Sequence, residues 1–179
     1  MRKVVAGLAI SLDGVIEAPH KWMKFSDEMA EVIAAGVAQA DTILLGRRTY
    51  VDFAAMWPTL DSGMADFMNN TPKYVFSSTL ESADWANSTL CSGDLAKEVA
   101  RLKELPGKNI QIPGSPRVVM SLLRDGLLDE LSMMISPIAL GSGARLFDEV
   151  GEVGEEMKLD LVESATLSNG VLSVTYQRA

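Results

Sequence analysis

Cysteine occurs once in this chain, as Cys91, and histidine once, as His20. A lone thiol forms neither an internal disulfide nor a cysteine metal cluster, so a reducing compartment, the cytoplasm, is the default expectation. One imidazole with no second histidine or carboxylate at ligand spacing is more often a solvated loop residue than a catalytic one. No apolar run approaches the roughly 20 residues that cross a bilayer. The first apolar run is ended by Ser11 and Asp13, which is not a signal-peptide layout. Basic residues are outnumbered 16 to 24, and the formal net charge of -8 argues against a nucleic-acid surface. Any anion bound here must be held by local basic groups working against the global field.

What is present suits one globular domain over residues 1–179, since 47% of the residues are hydrophobic, enough for a proper core. Val4 to Ile10 reads as a first buried strand, ended by the turn Ser11-Leu12-Asp13-Gly14. After a loop from Glu17 to Lys24, Ser26-Asp27-Glu28 reads as a helix start, a cap followed by acidic residues that suit the dipole. Met29, Val32, Ile33, Val37 and Ala40 predict a core-facing stripe on that helix. Thr42 to Leu45 forms a second strand, stopped by Gly46. Thr49 with Asp52 resembles a capping box and predicts a further short helix, closed by Trp57-Pro58. A helical stretch from Gly63 to Asn70 leads to a third strand, Lys73 to Phe76. Leu90-Cys91 suits another short strand, with Cys91 as a small buried hydrophobe. Asp94 then caps a helix bearing Leu95, Val99 and Leu102, ended by Pro106-Gly107.

The stretch from Ile110 to Phe147 is the most informative. Ile110-Gln111-Ile112 suits a buried strand that breaks at Pro113-Gly114. Ser115 is placed to cap the next helix, and Pro116 sits at its first position, where a missing N–H costs nothing. Val118, Val119, Leu122 and Leu123 repeat at helical spacing, and Gly126 stands where a left-handed stop belongs. Leu131 to Ile135 is a strand, Gly141-Ser142-Gly143 a flexible loop, and Glu149 to Glu156 an acidic, exposed connection. Two alternating runs around Ser168-Asn169-Gly170 give the strongest hairpin signal of the chain. Strands alternating with helices, then an antiparallel hairpin, predict an α/β fold whose mainly parallel sheet is covered on both faces.

Three strand tips carry candidate anion contacts: Gly46, Arg47, Arg48 and Thr49; Ser77, Ser78 and Thr79; and Gly114 with Ser115. A strand, a glycine break and a helix start leave unpaired N–H groups at the positive end of a dipole, which attracts phosphate. Ordinary turns and a solvated arginine pair explain the same residues one at a time. In open α/β sheets, ligands bind beyond the carboxyl ends of the strands, where strand order reverses. The G-x-G-x-x-G fingerprint is absent, and no acidic residue stands ready for a ribose 2′-hydroxyl. The arginine pair favours a 2′-phosphate, hence NADPH over NADH.

Several motifs in this order resemble the dihydrofolate reductase-like superfamily, in the branch of the C-terminal reductase domain of the bifunctional riboflavin-biosynthesis deaminase-reductase. The resemblance rests on Ser11-Leu12-Asp13-Gly14, Gly46-Arg47-Arg48-Thr49-Tyr50, Pro72-Lys73-Tyr74-Val75, Gly114-Ser115 and Gly126-Leu127-Leu128-Asp129-Glu130-Leu131. It continues through Pro137-Ile138-Ala139-Leu140-Gly141-Ser142-Gly143 and Arg145-Leu146-Phe147. It implies a mostly parallel eight-stranded sheet, an NADPH-dependent reductase similar to 5-amino-6-(5-phosphoribosylamino)uracil reductase, and a homodimer. By the family pattern, Gly46 to Thr49 hold the cofactor phosphates, Ser77 and Ser78 flank the adenosine end, and Gly114 with Ser115 lies under the pyrophosphate. The same pattern extends the cofactor contacts to Ala9, Ile16, Thr79, Pro113, Arg117 and Val118. Dihydrofolate reductases carry a strained Gly-Gly pair where Gly114-Ser115 stands here, which raises the expectation of a cis peptide.

Two departures bear on the activity. No H-x-E accompanies a C-x-x-C to hold zinc, so only the reductive step is expected of this chain. Dihydrofolate reduction needs a carboxylate near the start of the first helix. Asp27 is the candidate there, and Asp13 lies at the turn expected to line the substrate side, although a solvated first turn also explains Asp27 and Glu28. Lys21, Lys24 and Arg145 are the basic residues available for a substrate phosphate. A dihydrofolate reductase and a non-catalytic NADPH-binding dimeric protein are the alternative readings.

Overall fold

The structure, a computed structural model, describes residues 1–148 and 156–179. Among these residues eight strands form one sheet: β1 Val4–Ser11, β2 Ala40–Gly46, β3 Lys73–Phe76, β4 Ser88–Cys91, β5 Asn109–Pro113, β6 Glu130–Ser136, β7 Leu159–Thr166 and β8 Leu172–Arg178. Among the described residues five α-helices connect them: α1 Asp27–Val37, α2 Arg47–Met56, α3 Gly63–Asn70, α4 Leu95–Glu104 and α5 Pro116–Arg124. The strand order is β4-β3-β2-β5-β1-β6-β8-β7. The first six strands pair in parallel, and β8 runs antiparallel to both β6 and β7. This is the expected α/β architecture, with a mostly parallel eight-stranded sheet and a C-terminal hairpin.

Period-two alternation decides which side chains each face of the sheet receives. Val4, Ala6, Leu8 and Ile10 of β1 join Ile110, Ile112 and Leu131 under α4 and α5, which contribute Val99, Leu102, Val118, Val119, Leu122 and Leu123. On the opposite face, Ile43, Leu45 and Val75 pack with Tyr50, Met68 and Trp85 beneath α2 and α3. Further along that same face Met29 of α1 meets Met134 and Val171. Between these two clusters the strands present small or polar residues, with Gly7 paired to Pro113 and Ser132, and Val5 paired to Gln111 and Glu130. The result is a trough over β5 and β1, walled by α2 on one side and α1 on the other.

Two local expectations are corrected. The predicted stripe on α1 is not core-facing along its length: Met29 alone is buried, Val32 is 39% exposed, and Ala40 belongs to β2. Cys91 is half-buried, not fully buried. Other local expectations hold. Ser26 accepts from the Met29 amide as the α1 cap, Gly126 adopts φ 69°, and the hairpin turns at Gly170 with φ 81°. The expected acidic connection lies largely at 149–155, outside the described residues.

Candidate functional site

The carboxyl ends of β3, β2 and β5 lie side by side, because β5 returns between β2 and β1 after the chain has stepped outward to β4. That reversal is where an α/β sheet leaves a crevice. The β2–α2 and β5–α5 turns are stitched together there. The Ser115 hydroxyl accepts from the Gly46 amide at 2.8 Å, and the Ser115 amide donates to the Thr49 hydroxyl at 3.1 Å. Ser115 holds the left-handed conformation, φ 58°, and Gly114 before it has φ 102°. Contact is close throughout. A Cβ on Gly46 would meet Val118 at 3.2 Å, and one on Gly114 would meet Thr49 at 3.4 Å.

These bonds correct two sequence-based capping assignments. Ser115 does not cap α5 with its side chain, because its hydroxyl is spent on Gly46 across the crevice. Thr49 is not the cap of α2 either. That helix begins at Arg47 with Gly46 as its N-cap, and Thr49 lies inside its first turn, turned toward Ser115. No cis peptide occurs among the described residues, so the expected Gly114-Ser115 cis bond is absent.

The uncapped helix ends carry chemical weight. Helices α1, α3 and α4 each have a side chain accepting a first-turn amide, from Ser26, Ser62 and Asp94. Helices α2 and α5 have none. Their N-termini thus converge on one crevice with free donors and two positive dipole ends. Arg47, Arg48 and Arg117 stand at those same ends and line the cavity with them. Donors, dipoles and guanidinium forks together suit phosphate oxygens, which is the fit an NADPH pyrophosphate and 2′-phosphate require.

Every cofactor-contact residue expected from the sequence lines this one cavity: Ala9, Ile16, Gly46, Arg47, Arg48, Thr49, Ser77, Ser78, Thr79, Pro113, Gly114, Ser115, Arg117 and Val118. The two expected catalytic carboxylates do not line it. Asp27 is exposed on the first turn of α1, and its neighbour Glu28 accepts from the amide and hydroxyl of Ser168, both at 2.7 Å. Asp13 is a loop clasp. One of its oxygens accepts from the Ser11 hydroxyl at 2.7 Å and the Leu140 amide at 3.1 Å, and the other accepts from the Gly141 amide at 2.8 Å. The Ser11 hydroxyl, followed by those two amides, holds the Asp13 carboxyl well below the usual carboxylate range.

The clasp joins two loops at the cavity mouth. The Ile16 amide donates to Ala144, the Leu146 amide to Gly14, and the Ala144 amide to the Glu17 carboxylate. Arg145 donates its Nε to the Asp13 carbonyl at 2.9 Å, with its guanidinium 3.8 Å from the Asp13 carboxylate. Sequence reasoning missed the cavity floor of Gly7, Gln111 and Ser132 and the wall residues Val51 and Trp57, all of which line it. The small, open alternation Val5, Gly7, Ala9 on β1 was the available signal, since those positions face the trough.

The strand order and connections are those of a dihydrofolate reductase-like α/β fold, with a crevice at the strand-order reversal. The chain belongs to the RibD C-terminal domain family, which matches residues 2–173. Among curated proteins it is similar to the uncharacterized protein YyaP of Bacillus subtilis strain 168, at 29% identity over 98% of this chain and 94% of the relative. Among solved structures it resembles the diaminohydroxyphosphoribosylaminopyrimidine deaminase/5-amino-6-(5-phosphoribosylamino)uracil reductase of Thermotoga maritima. That likeness has a TM-score of 0.72 and 17% identity, and covers 99% of this chain and 57% of that one. Dihydrofolate reductase from Enterococcus faecalis, solved with NADP(H), matches with a TM-score of 0.64 and 17% identity over 98% of this chain and 96% of that one.

Proposed function

We propose that the protein is an NADPH-dependent reductase of a small heterocyclic or imine-type acceptor. The observation that carries this reading is the pairing of two uncapped helix N-termini beside Arg47, Arg48 and Arg117 in one crevice. Membership of the RibD C-terminal domain family supports a reductase, and the likeness to a dihydrofolate reductase solved with NADP(H) supports the cofactor. In this reading the amides of α2 and α5 and the three arginines hold the phosphates. Ser77, Ser78 and Thr79 flank the adenosine end, and the floor of Gly7 and Ala9 leaves room for a flat ring. Bound there, the cofactor supplies the hydride. The chain's part is to orient the two rings and to exclude water from the trough. Asp13 acts by holding the mouth loops together. The exposed setting of Asp27 gives no support to the dihydrofolate reductase alternative.

Titration with NADPH and NADH by fluorescence tests the cofactor assignment. Replacing both arginines, Arg47→Ala with Arg48→Ala, should weaken NADPH by on the order of 100-fold and NADH by far less, since charge-assisted bonds to a phosphate contribute about 1.5–3 kcal/mol each. Equal losses for the two nucleotides would show that the pair does not read the 2′-phosphate.

A further inference from the structure

The floor of the trough holds one polar side chain whose partner the chain does not provide. Gln111 of β5 is only 8% exposed, yet its carboxamide makes no hydrogen bond to any of the described residues. Ile110 and Ile112 on either side of it turn into the core under α4 and α5, so strand alternation sends Gln111 to the opposite face, into the cavity it lines. Beside it on β1 stands Gly7, where a Cβ would meet Gln111 Nε2 at 3.1 Å. Gly7 does not have a positive φ, so the backbone does not call for glycine at this position. What the missing side chain provides is room for the amide.

The neighbouring polar groups of the floor have partners. The hydroxyls of Ser132, which pairs with Gly7 in the sheet, and Thr175 share a hydrogen bond of 3.0 Å, and Glu130 accepts from Lys3 Nζ at 2.7 Å. The walls are apolar: Val32 of α1 and Val51 and Met56 of α2 all line the cavity with their side chains open to it. A flat ring slid between such walls stacks its faces on apolar side chains and turns one edge to the floor. A carboxamide buried there without a partner carries a desolvation penalty that an apolar side chain of the same length would avoid. Its donor and acceptor, set side by side, match a ring edge that carries an N–H beside a C=O. Gln111 also lies two residues before Pro113, roughly 6–7 Å along the strand from the tip that holds the nucleotide phosphates in the proposed function, so its amide serves the acceptor half of the trough.

We infer that Gln111 is the residue that selects and orients the acceptor ring, by pairing its carboxamide with a lactam-type edge, an N–H beside a carbonyl. This rests on the proposed reductase reading and deepens it. Affinity comes from contact of the ring faces with the apolar walls, and selectivity comes from the one amide that an edge lacking the N–H leaves facing an acceptor. The pairing concerns the ring edge alone and sets no condition on the substituents carried elsewhere on the molecule.

The test is isothermal titration calorimetry on the full chain saturated with NADP+. The probes are quinolin-2(1H)-one and coumarin, two flat rings of the same shape in which a ring oxygen replaces the lactam N–H. The native protein should bind the quinolinone about tenfold or more tightly than coumarin, since a site built around a hydrogen bond rejects the analogue that cannot make it. Gln111→Met keeps the length of the side chain and removes both polar groups. It should bring the two affinities to within about twofold of each other by weakening the quinolinone, with coumarin and NADP+ binding as in the native protein. Equal binding of the two rings to the native protein would overturn the inference, as would uptake of neither ring by a protein that holds NADP+. A preference that survives in Gln111→Met would overturn it too. So would a loss that falls on NADP+ instead, which would assign the amide to the nucleotide. Should the variant not fold, the native comparison decides alone. Failure of the native protein to bind NADP+ or NADPH at the outset would instead overturn the reductase reading, and the two failures are thus separable.

Discussion

At the scale of single residues, the crevice depends on hydroxyl groups that serve the backbone of another element. Ser115 accepts from Gly46 although 69 positions separate them, and Thr49 accepts from Ser115. Ser115→Ala strands the Gly46 amide beside a buried neighbour and should cost about 1–3 kcal/mol in urea unfolding, with weaker NADPH binding as a second readout. Asp13 is a similar case. Its carboxyl is held below the usual range by Ser11, Leu140 and Gly141, so the folded state keeps it ionised where an unfolded chain would begin to protonate. The stability it contributes is present above the ordinary carboxylate range near pH 4 and is lost as pH falls through its lower native value. Asp13→Ala should speed hydrogen exchange at the amides of Leu140 and Gly141 by tenfold or so at neutral pH, measured by NMR, and unchanged exchange would mean the clasp is idle. The residue types at the tips were legible in the sequence, while their partners were not, because nothing local brings Gly46 to Ser115.

At the scale of elements, the helix ends divide into two kinds, capped and uncapped, and the uncapped ends of α2 and α5 are the ones that meet at the crevice. Local sequence found the Ser26 and Asp94 caps correctly, since a cap is decided within one turn. It misassigned Thr49 and Ser115, where a distant partner outbid the local one. The C-terminal end of α3 shows another long side chain acting as a cap. Lys73 is fully buried, and its Nζ donates to the carbonyls of Met68 and Thr71 at 2.8 Å and of Asn69 at 3.2 Å, while lying 4.4 Å from the Trp85 ring centroid. These contacts favour the ammonium ion, but burial pulls its pKa from 10.5 to about 8. From about pH 8 to 10.5 the unfolded chain therefore binds more protons than the folded one at this position, so its contribution to stability rises with pH across that window. Lys73→Met should destabilise the protein by about 1–3 kcal/mol through unpaired carbonyls, and the pH-dependent rise should vanish from its denaturation profile. A strand-initial lysine reads as surface in sequence, and only the packing of α3 and Trp85 against β3 makes it internal.

At the scale of the whole molecule, the sheet ends on an edge that is not blunted. Strand β7 is exposed along almost its full length, with Leu161 at 55% and Val162 at 51%, and no helix covers it among the described residues. Such an edge invites pairing. We propose a homodimer, and light scattering at micromolar concentration should give twice the chain mass. Leu161→Lys should then shift the equilibrium toward monomer if β7 is the contact, and a monomeric native protein would remove the proposal. Among the described residues no helix is long and apolar enough to cross a membrane. The sequence by itself determined the alternation of strands and helices, the terminal hairpin, the three strand tips and their arginines, because each is written in periodicity, turn chemistry or charge within a few residues. Tertiary structure alone decided that β5 slips between β2 and β1. It therefore also decided that those tips meet, that Ser115 bonds Gly46, and that Asp13 clasps a loop beyond residue 138. Strand order is set by how apolar faces from distant segments pack together, and no local pattern encodes that choice.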